Sequence, residues 1–283
     1  MSIAGKVVII TGATSGVGRG VAEELARRGA RVVATGRRQE EGAALEKSVR
    51  EAGGELLFVQ SDVTSEADCE RFAEAANDAY GRIDVLVCNA GIVGNPAITN
   101  THEVELDVWN QVVGTNLTGT FLSAKAVLPY MMSQHDGVIF TISSMNSEVP
   151  LSRMAAYNSS KAAITQFTRT LAIEYLMWGV RANSILLGAV PGDTNDAVTA
   201  GVLEYVTGAP ATPEQLESQA QLKGALEEPA ERIGAAISHL ASDDMSMMTA
   251  ANIHLDKGVA AGLMTDMSLY MTVSGQWTMG GNQ

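Results

Sequence analysis

The feature that most constrains this chain is the order of patterns in its first sixty residues. Lys6 to Thr11 (KVVIIT) is a short β-branched run, the signature of a strand buried on both faces. The glycine-rich stretch Gly12-Ala13-Thr14-Ser15-Gly16-Val17-Gly18 follows it directly. A helical stripe of Val17, Val21 and Leu25 comes next, closed by Gly29 in a position suited to a left-handed residue past the helix end. Arg31 to Thr35 then reads as a second strand. Two strands separated by a helix pair in parallel, so the chain opens as β-α-β.

The alternation continues. We expect a helix around Gln39 to Glu51, a strand at Leu56 to Gln60, and a helix from Glu66 to Tyr80 with Ser65 as its cap. A strand at Asp84 to Cys88 precedes a long helical region from about Asp107 to Met132. A strand at Gly137 to Ile142, a helix through Tyr157 to about Trp178, and a strand at Arg181 to Leu186 follow. Between Pro191 and Pro229 the alternation lapses, and an insertion of that size reads as a helical lid over about 191–228. A helix near 229–241 and a strand at Asn252 to Leu255 complete the pattern. The expectation is an α/β fold with a doubly wound parallel sheet, one domain over residues 1–258. The Met- and Gly-rich tail, 259–283 with Trp277, is expected to serve packing or subunit contact.

Composition narrows the function classes. At 283 residues, with 46% hydrophobic and 18% charged residues, the chain has ample material for a buried core. Its formal charge of −13 argues against nucleic acid or an anionic membrane surface as partner. No apolar run approaches the roughly 20 residues of a membrane helix. Two cysteines, Cys69 and Cys88, form no disulfide framework, and the first strand leaves no room before it for a signal peptide. We expect a cytoplasmic protein. The four histidines, His102, His135, His239 and His254, lie far apart in sequence, so no metal site is expected.

Three motifs carry chemistry. Glycines opening a helix after a first strand let the backbone approach a pyrophosphate at the helix N-terminus. The spacing is G-x-x-x-G-x-G, which differs from the commonest dinucleotide fingerprint. Strand two ends in Gly36-Arg37-Arg38 with no acid until Glu40. A carboxylate there would bind the ribose 2′-OH of NAD, whereas arginine accommodates the 2′-phosphate of NADP. NADP(H) is therefore favoured over NAD(H). Tyr157 and Lys161 stand at i and i+4 on one helix face, where an ammonium beside a phenol lowers the phenol pKa and suits it to acid/base work.

With these motifs in order, the chain resembles the single-domain short-chain dehydrogenases/reductases from Gly5 to about Gly258. Thr11 to Gly18 resembles that family's TGxxxGxG loop, and Asp62-Val63 stands where the family has an acid contacting adenine. Cys88-Asn89-Ala90-Gly91 resembles its NNAG stretch, and Asn116 matches an asparagine that holds a water in a proton relay. Ser144 lies at the family's usual separation upstream of Tyr157, with Ser143 as rival. The resemblance implies a Rossmann-like fold and a ketone or secondary alcohol as substrate. Tyr157 would exchange the proton, Ser144 orient the substrate oxygen, Lys161 tune Tyr157 and bind the nicotinamide ribose, and Asn116 support the relay. Cofactor contacts would come from Gly12, Thr14, Ser15, Gly16, Val17, Gly18, Arg37, Arg38, Asp62, Val63, Asn89, Ala90, Gly91, Tyr157, Lys161 and Val190. The family's Pro-Gly after the sixth strand is displaced here to Pro191-Gly192, and Leu187-Gly188 fills its slot. The resemblance also implies a homotetramer, or a dimer, built on Ile164, Phe167, Leu171 and Tyr175 of the Tyr157 helix. Competing readings are a protein of this fold with repurposed, non-redox chemistry, and a non-catalytic dinucleotide-binding regulator.

Overall fold

The structure is a computed structural model and describes residues 3–213, 216 and 227–263. Seven strands form one sheet in the order β3-β2-β1-β4-β5-β6-β7. They are β1 (Val7–Ile10), β2 (Arg31–Gly36), β3 (Glu55–Gln60), β4 (Val85–Cys88), β5 (Gly137–Ser144), β6 (Val180–Leu187) and β7 (Asn252–Leu255). Every pairing is parallel. The strands are short and apolar because helices cover both faces, and β1, β4 and β5 are buried along their whole length.

The helices described in full are α1 (Gly16–Arg27), α2 (Gln39–Glu51), α3 (Glu66–Tyr80), α4 (Leu106–Val113), α5 (Gly119–Gln134), α6 (Ala155–Glu174), α7 (Asp193–Thr207) and α8 (Ala230–Leu240). One core layer packs Val21 and Leu25 of α1 and Ile233 and Ile237 of α8 against Val8, Ile10 and Phe140. The other packs Phe72 of α3, Val127 and Met131 of α5 and Leu171 of α6 against Val7, Ile9 and Leu86. Because β1 neighbours both β2 and β4, strand order reverses there, and a crevice opens at the carboxyl ends of β1 and β4.

Local chemistry explains most boundaries. Ser65 caps α3, its hydroxyl accepting from Asp68 N at 3.3 Å, and Gly81 ends that helix at φ +75°. Three differences from the sequence expectation matter. The helical region from Asp107 to Met132 is two helices joined by a wider, π-helical turn at Gly114–Thr118 that carries Asn116 into the interior. Strand β5 runs on to Ser144 instead of stopping at Ile142, so Ser143 and Ser144 sit on opposite sides of a strand end. Helix α6 stops at Glu174, and Leu176–Trp178 form a tighter turn ended by Gly179 at φ +72°. Within the expected lid, 214, 215 and 217–226 lie outside the described residues, as does the tail from 264, Trp277 included. No described helix is long and apolar enough to cross a membrane.

Phe72 is fully buried between α3 and the sheet. Phe72→Ala should cost roughly 3–5 kcal/mol through lost transfer energy plus a cavity. A urea midpoint unchanged from the unmodified protein would contradict this placement of the core.

Candidate active site

The glycine loop is held from the side by β4. Asn89 Nδ2 donates to Thr11 O at 2.9 Å and Gly12 O at 3.2 Å, while Thr11 Oγ1 accepts from Asn89 N and Ala90 N at 3.0 and 3.1 Å. The glycines serve different ends. Gly12, at φ +66°, approaches so closely that an added Cβ would lie 2.8 Å from Ala90 Cα. At Gly18 a Cβ would collide with Gly12 O and Asn89 Nδ2. Gly18 therefore packs helix against loop behind the crevice instead of lining it.

A cleft of about 1100 Å³ runs along the carboxyl ends of the strands. Of the residues singled out in the sequence, all but Gly18 and Asn116 line it. Its first end is formed by the loop residues Gly12 to Val17, by Gly36, Arg37 and Arg38, and by Asp62 and Val63. Arg38 is tied back to the loop, its Nη2 and Nε donating to Thr14 Oγ1 at 3.0 and 3.2 Å. Asp62 Oδ1 accepts from Thr64 N at 2.9 Å and Thr64 Oγ1 at 2.8 Å. The backbone N–H groups that open α1 have no intrahelical partner, so this end suits a phosphate-bearing ligand. A nicotinamide dinucleotide fits the residues present: the loop and the first N–H groups of α1 line this end, with the guanidinium groups of Arg37 and Arg38 beside them.

The second end carries Ser144, Tyr157 and Lys161. Burial pushes the Tyr157 phenol pKa up, and its hydrogen-bonding neighbour Ser144 pulls it partly back. Lys161 is buried, donates from Nζ to Ile142 O at 2.8 Å, and lies 5.6 Å from the centre of the Tyr157 ring. Desolvation pulls the Lys161 pKa down to about 8. Burial is the largest influence on the phenol here, and the role expected of Lys161, lowering the phenol pKa, belongs to its charged form. The two serines separate cleanly. Ser143 Oγ donates to Lys161 O at 3.0 Å, while Ser144 Oγ neighbours the phenol and accepts from Asn146 N at 3.2 Å.

Asn116 is fully buried beneath the cleft. Its Oδ1 accepts from Ile92 N at 2.8 Å, and its Nδ2 donates to Ile92 O at 2.9 Å and Ser160 Oγ at 3.0 Å. Ser160 Oγ in turn donates to Tyr157 O at 2.8 Å. A Cβ at Gly91 would lie 3.3 Å from Asn116 Oδ1 and 3.4 Å from Lys161 Nζ, so the three residues converge. Sequence reasoning missed Ser160, and it assigned the substrate to the 145–154 loop as a whole without singling out Asn146, Leu151 and Met154. A serine inside Tyr157–Lys161 was a signal for the first. The others lie in a loop with no period to reveal which side chains turn inward.

Comparison with known proteins shows the family. The family model described as short chain dehydrogenase matches residues 6–202. An uncharacterized oxidoreductase of Thermotoga maritima is 34% identical over 264 residues, 92% of this chain and 100% of its own length. A 2,5-dichloro-2,5-cyclohexadiene-1,4-diol dehydrogenase of Sphingobium indicum is 34% identical over 261 residues, covering 92% of this chain and 98% of itself. Glucose 1-dehydrogenase 2 of Bacillus subtilis is 32% identical over 264 residues, 91% of this chain and 95% of its own. Among solved structures, levodione reductase superposes with a TM-score of 0.82 at 29% identity, covering 91% of this chain and 98% of that one. An NAD+-bound xylitol dehydrogenase superposes with the same TM-score and identity, covering 90% and 99%. The chain belongs to the short-chain dehydrogenase family of oxidoreductases.

Proposed function

We propose that this chain interconverts a ketone and a secondary alcohol, with NADP(H) favoured over NAD(H) and Tyr157 as proton carrier. The observation that carries the reading is the meeting of Ser144 and Tyr157 in the cleft that the glycine loop opens, with Lys161 buried beside them. The loop and the ends of β2, β3 and β4 would hold the dinucleotide, which when bound would supply or accept the hydride. Ser144 Oγ donates to the carbonyl oxygen and orients it, and the Tyr157 O–H delivers the proton to that oxygen. The Asn116–Ser160 pair fixes the Tyr157 backbone, so the phenol keeps one position. While charged, Lys161 stabilises a phenolate beside it.

The pH dependence follows from the two groups. Below about pH 8, Lys161 is protonated and the raised Tyr157 phenol is neutral, the pair required for giving a proton to a carbonyl. Ketone reduction should therefore fall as pH rises through about 8, while alcohol oxidation should gain from a more alkaline medium. Tyr157→Phe should lose nearly all turnover and keep dinucleotide binding, measured by nicotinamide absorbance and by quenching of protein fluorescence. Substantial turnover in Tyr157→Phe would sink the mechanism.

The cofactor choice rests on this chain's own residues, since the xylitol dehydrogenase structure carries NAD+. Gly36 offers neither a carboxylate for a 2′-OH nor a charge against a 2′-phosphate. Arg38 is braced by Thr14, and Arg37 is exposed beside it. A charge-assisted bond is worth roughly 1.5–3 kcal/mol, tenfold or more in affinity. Replacing Gly36 by Asp is a poor test, because a Cβ there would sit 2.9 Å from Thr14 Cγ2. Arg37→Ala and Arg38→Ala should each cut the ratio of NADP+ to NAD+ affinity by about tenfold. Equal affinity for the two cofactors in the unmodified protein would overturn the assignment.

We also read the protein as a homo-oligomer, a tetramer in first place and a dimer next, assembled on α4, α5 and α6. Ile164 and Leu171, expected at a subunit contact, are buried within the chain itself. Exposed apolar side chains on these elements are instead Leu106 and Phe121, the latter edge-on to Phe167, with Ile173 near the end of α6 and Met177 in the turn after it. A monomer by light scattering at micromolar concentration would refute the assembly.

A further inference from the structure

We infer that Asn146 is a substrate-binding residue, and that the substrate is an uncharged molecule with a second hydroxyl or carbonyl one or two carbons from the reacting oxygen. The inference rests on the proposed redox reading and names the substrate class for the same cleft.

Asn146 follows Ser144 by two residues, on the tight turn Met145–Ser147. It is only 7% exposed and lines the cleft. Its side-chain amide is almost without partners: Nδ2 meets only the thioether sulfur of Met154 at 3.9 Å, a weak acceptor, and Oδ1 accepts no hydrogen bond. Oδ1 is also not among the sealed, unpartnered atoms of the interior, so part of its surface remains accessible. A buried amide with unused capacity is costly unless something satisfies it, and an occupant of the cleft is the group within reach. The amide can turn about its Cβ–Cγ bond, so it serves either a hydroxyl or a carbonyl.

The amide is also aimed with care. Asn146 N–H donates to Ser144 Oγ, the Ser147 hydroxyl donates to Ser144 O at 2.7 Å, and Glu148 N and Val149 N donate to Met145 O at 3.0 and 2.9 Å. The Glu148 carboxylate is in turn bonded by Asn252 Nδ2 of β7 at 2.8 Å. The turn is therefore rigid, and it holds the amide one short step from the oxygen that Ser144 and Tyr157 bind. Around it stand Met145, Leu151 and Met154, an apolar wall with no charged group among its described residues. The charged residues of the cleft are Arg37, Arg38, Asp62 and Lys161, the first three at the dinucleotide end and the last turned to Ile142 O. A carboxylate or phosphate on the substrate would meet no counter-charge at Asn146, whereas a neutral second oxygen meets an amide.

The test compares cyclohexanol with cyclohexane-1,2-diol and cyclohexane-1,3-diol. Affinity is read by saturation-transfer NMR with NADPH present, so that no oxidation occurs, and kcat/KM is read separately with NADP+. One diol should bind about tenfold tighter than cyclohexanol and be oxidised with about tenfold higher kcat/KM. Asn146→Ala should bring both ratios to near one, and Asn146→Ser, which keeps a hydroxyl, should give intermediate ratios; both variants retain the backbone N–H that holds Ser144. Equal affinity for all three probes in the unmodified protein, no binding of any, or a diol preference that survives Asn146→Ala would overturn the inference. Oxidation with a flat preference defeats this inference and leaves the redox reading standing. Asn146-dependent diol binding without any turnover supports the inference and defeats the redox reading.

Discussion

Asn89 holds together the two strand ends between which the crevice opens, because its amide bonds the backbone of Thr11 and Gly12 while its own N–H rests on the Thr11 hydroxyl. Two parallel neighbours such as β1 and β4 have no turn to fix their ends, and each leads into a separate loop. A side chain spanning them sets the loop height, and the height decides whether the first turn of α1 faces the cleft. Small residues then become obligatory around the clamp. Gly12 must clear Ala90, and Gly18 must clear both the clamp and the Gly12 carbonyl. The glycine spacing is thus as much a packing demand of Asn89 as a ligand demand.

A second dependency runs through α6. That helix is bolted to the sheet by Ser143 on the Lys161 carbonyl and by Thr168 on Thr141, 2.7 Å apart. From the other side Asn116 reaches it through Ser160. The Tyr157 and Lys161 side chains are therefore positioned by hydrogen bonds to their own backbone neighbourhood, not by one another. Their electrostatics follow from depth: Lys161 has its ammonium on a single carbonyl, too little to offset desolvation, and its pKa falls to about 8.

The α/β order was legible because each strand is buried on both faces and reads as a continuous apolar run, as in Val85–Cys88. Caps at Ser65 and Gly29 marked helix ends for the same local reason. That the glycine loop and the arginines would meet in one cleft was legible because glycine and arginine there answer to the backbone and to charge, which sequence displays directly. What stayed hidden depended on distant contacts. The π-helical turn at Asn116 is held from Ile92, 24 residues earlier in the chain, and no local pattern announces it. The choice of Ser144 over Ser143 became physical only once β5 ran on to Ser144 and its pleat turned the two hydroxyls apart. Asn146 was hidden for a similar reason: its burial comes from the fold of an aperiodic loop.

The distribution of charge along the cleft links these parts. The chain carries a formal charge of −13, so an anionic dinucleotide approaches against the field of the whole molecule. At physiological ionic strength that repulsion is screened beyond about 8 Å, while contacts inside the cleft are screened much less. Binding must therefore be earned at short range, where Arg37, Arg38 and the free N–H groups of α1 stand together. The opposite end gains from being the reverse. With no charge on the Met145, Leu151 and Met154 side chains that wall it, nothing on that wall competes for the phosphates or for the hydride-bearing ring. That contrast would favour a dinucleotide bound with its phosphates towards β2, leaving the other end for the reacting carbon. The single amide of Asn146 then discriminates among neutral occupants without disturbing the orientation, since an amide adds hydrogen-bonding capacity but no net charge.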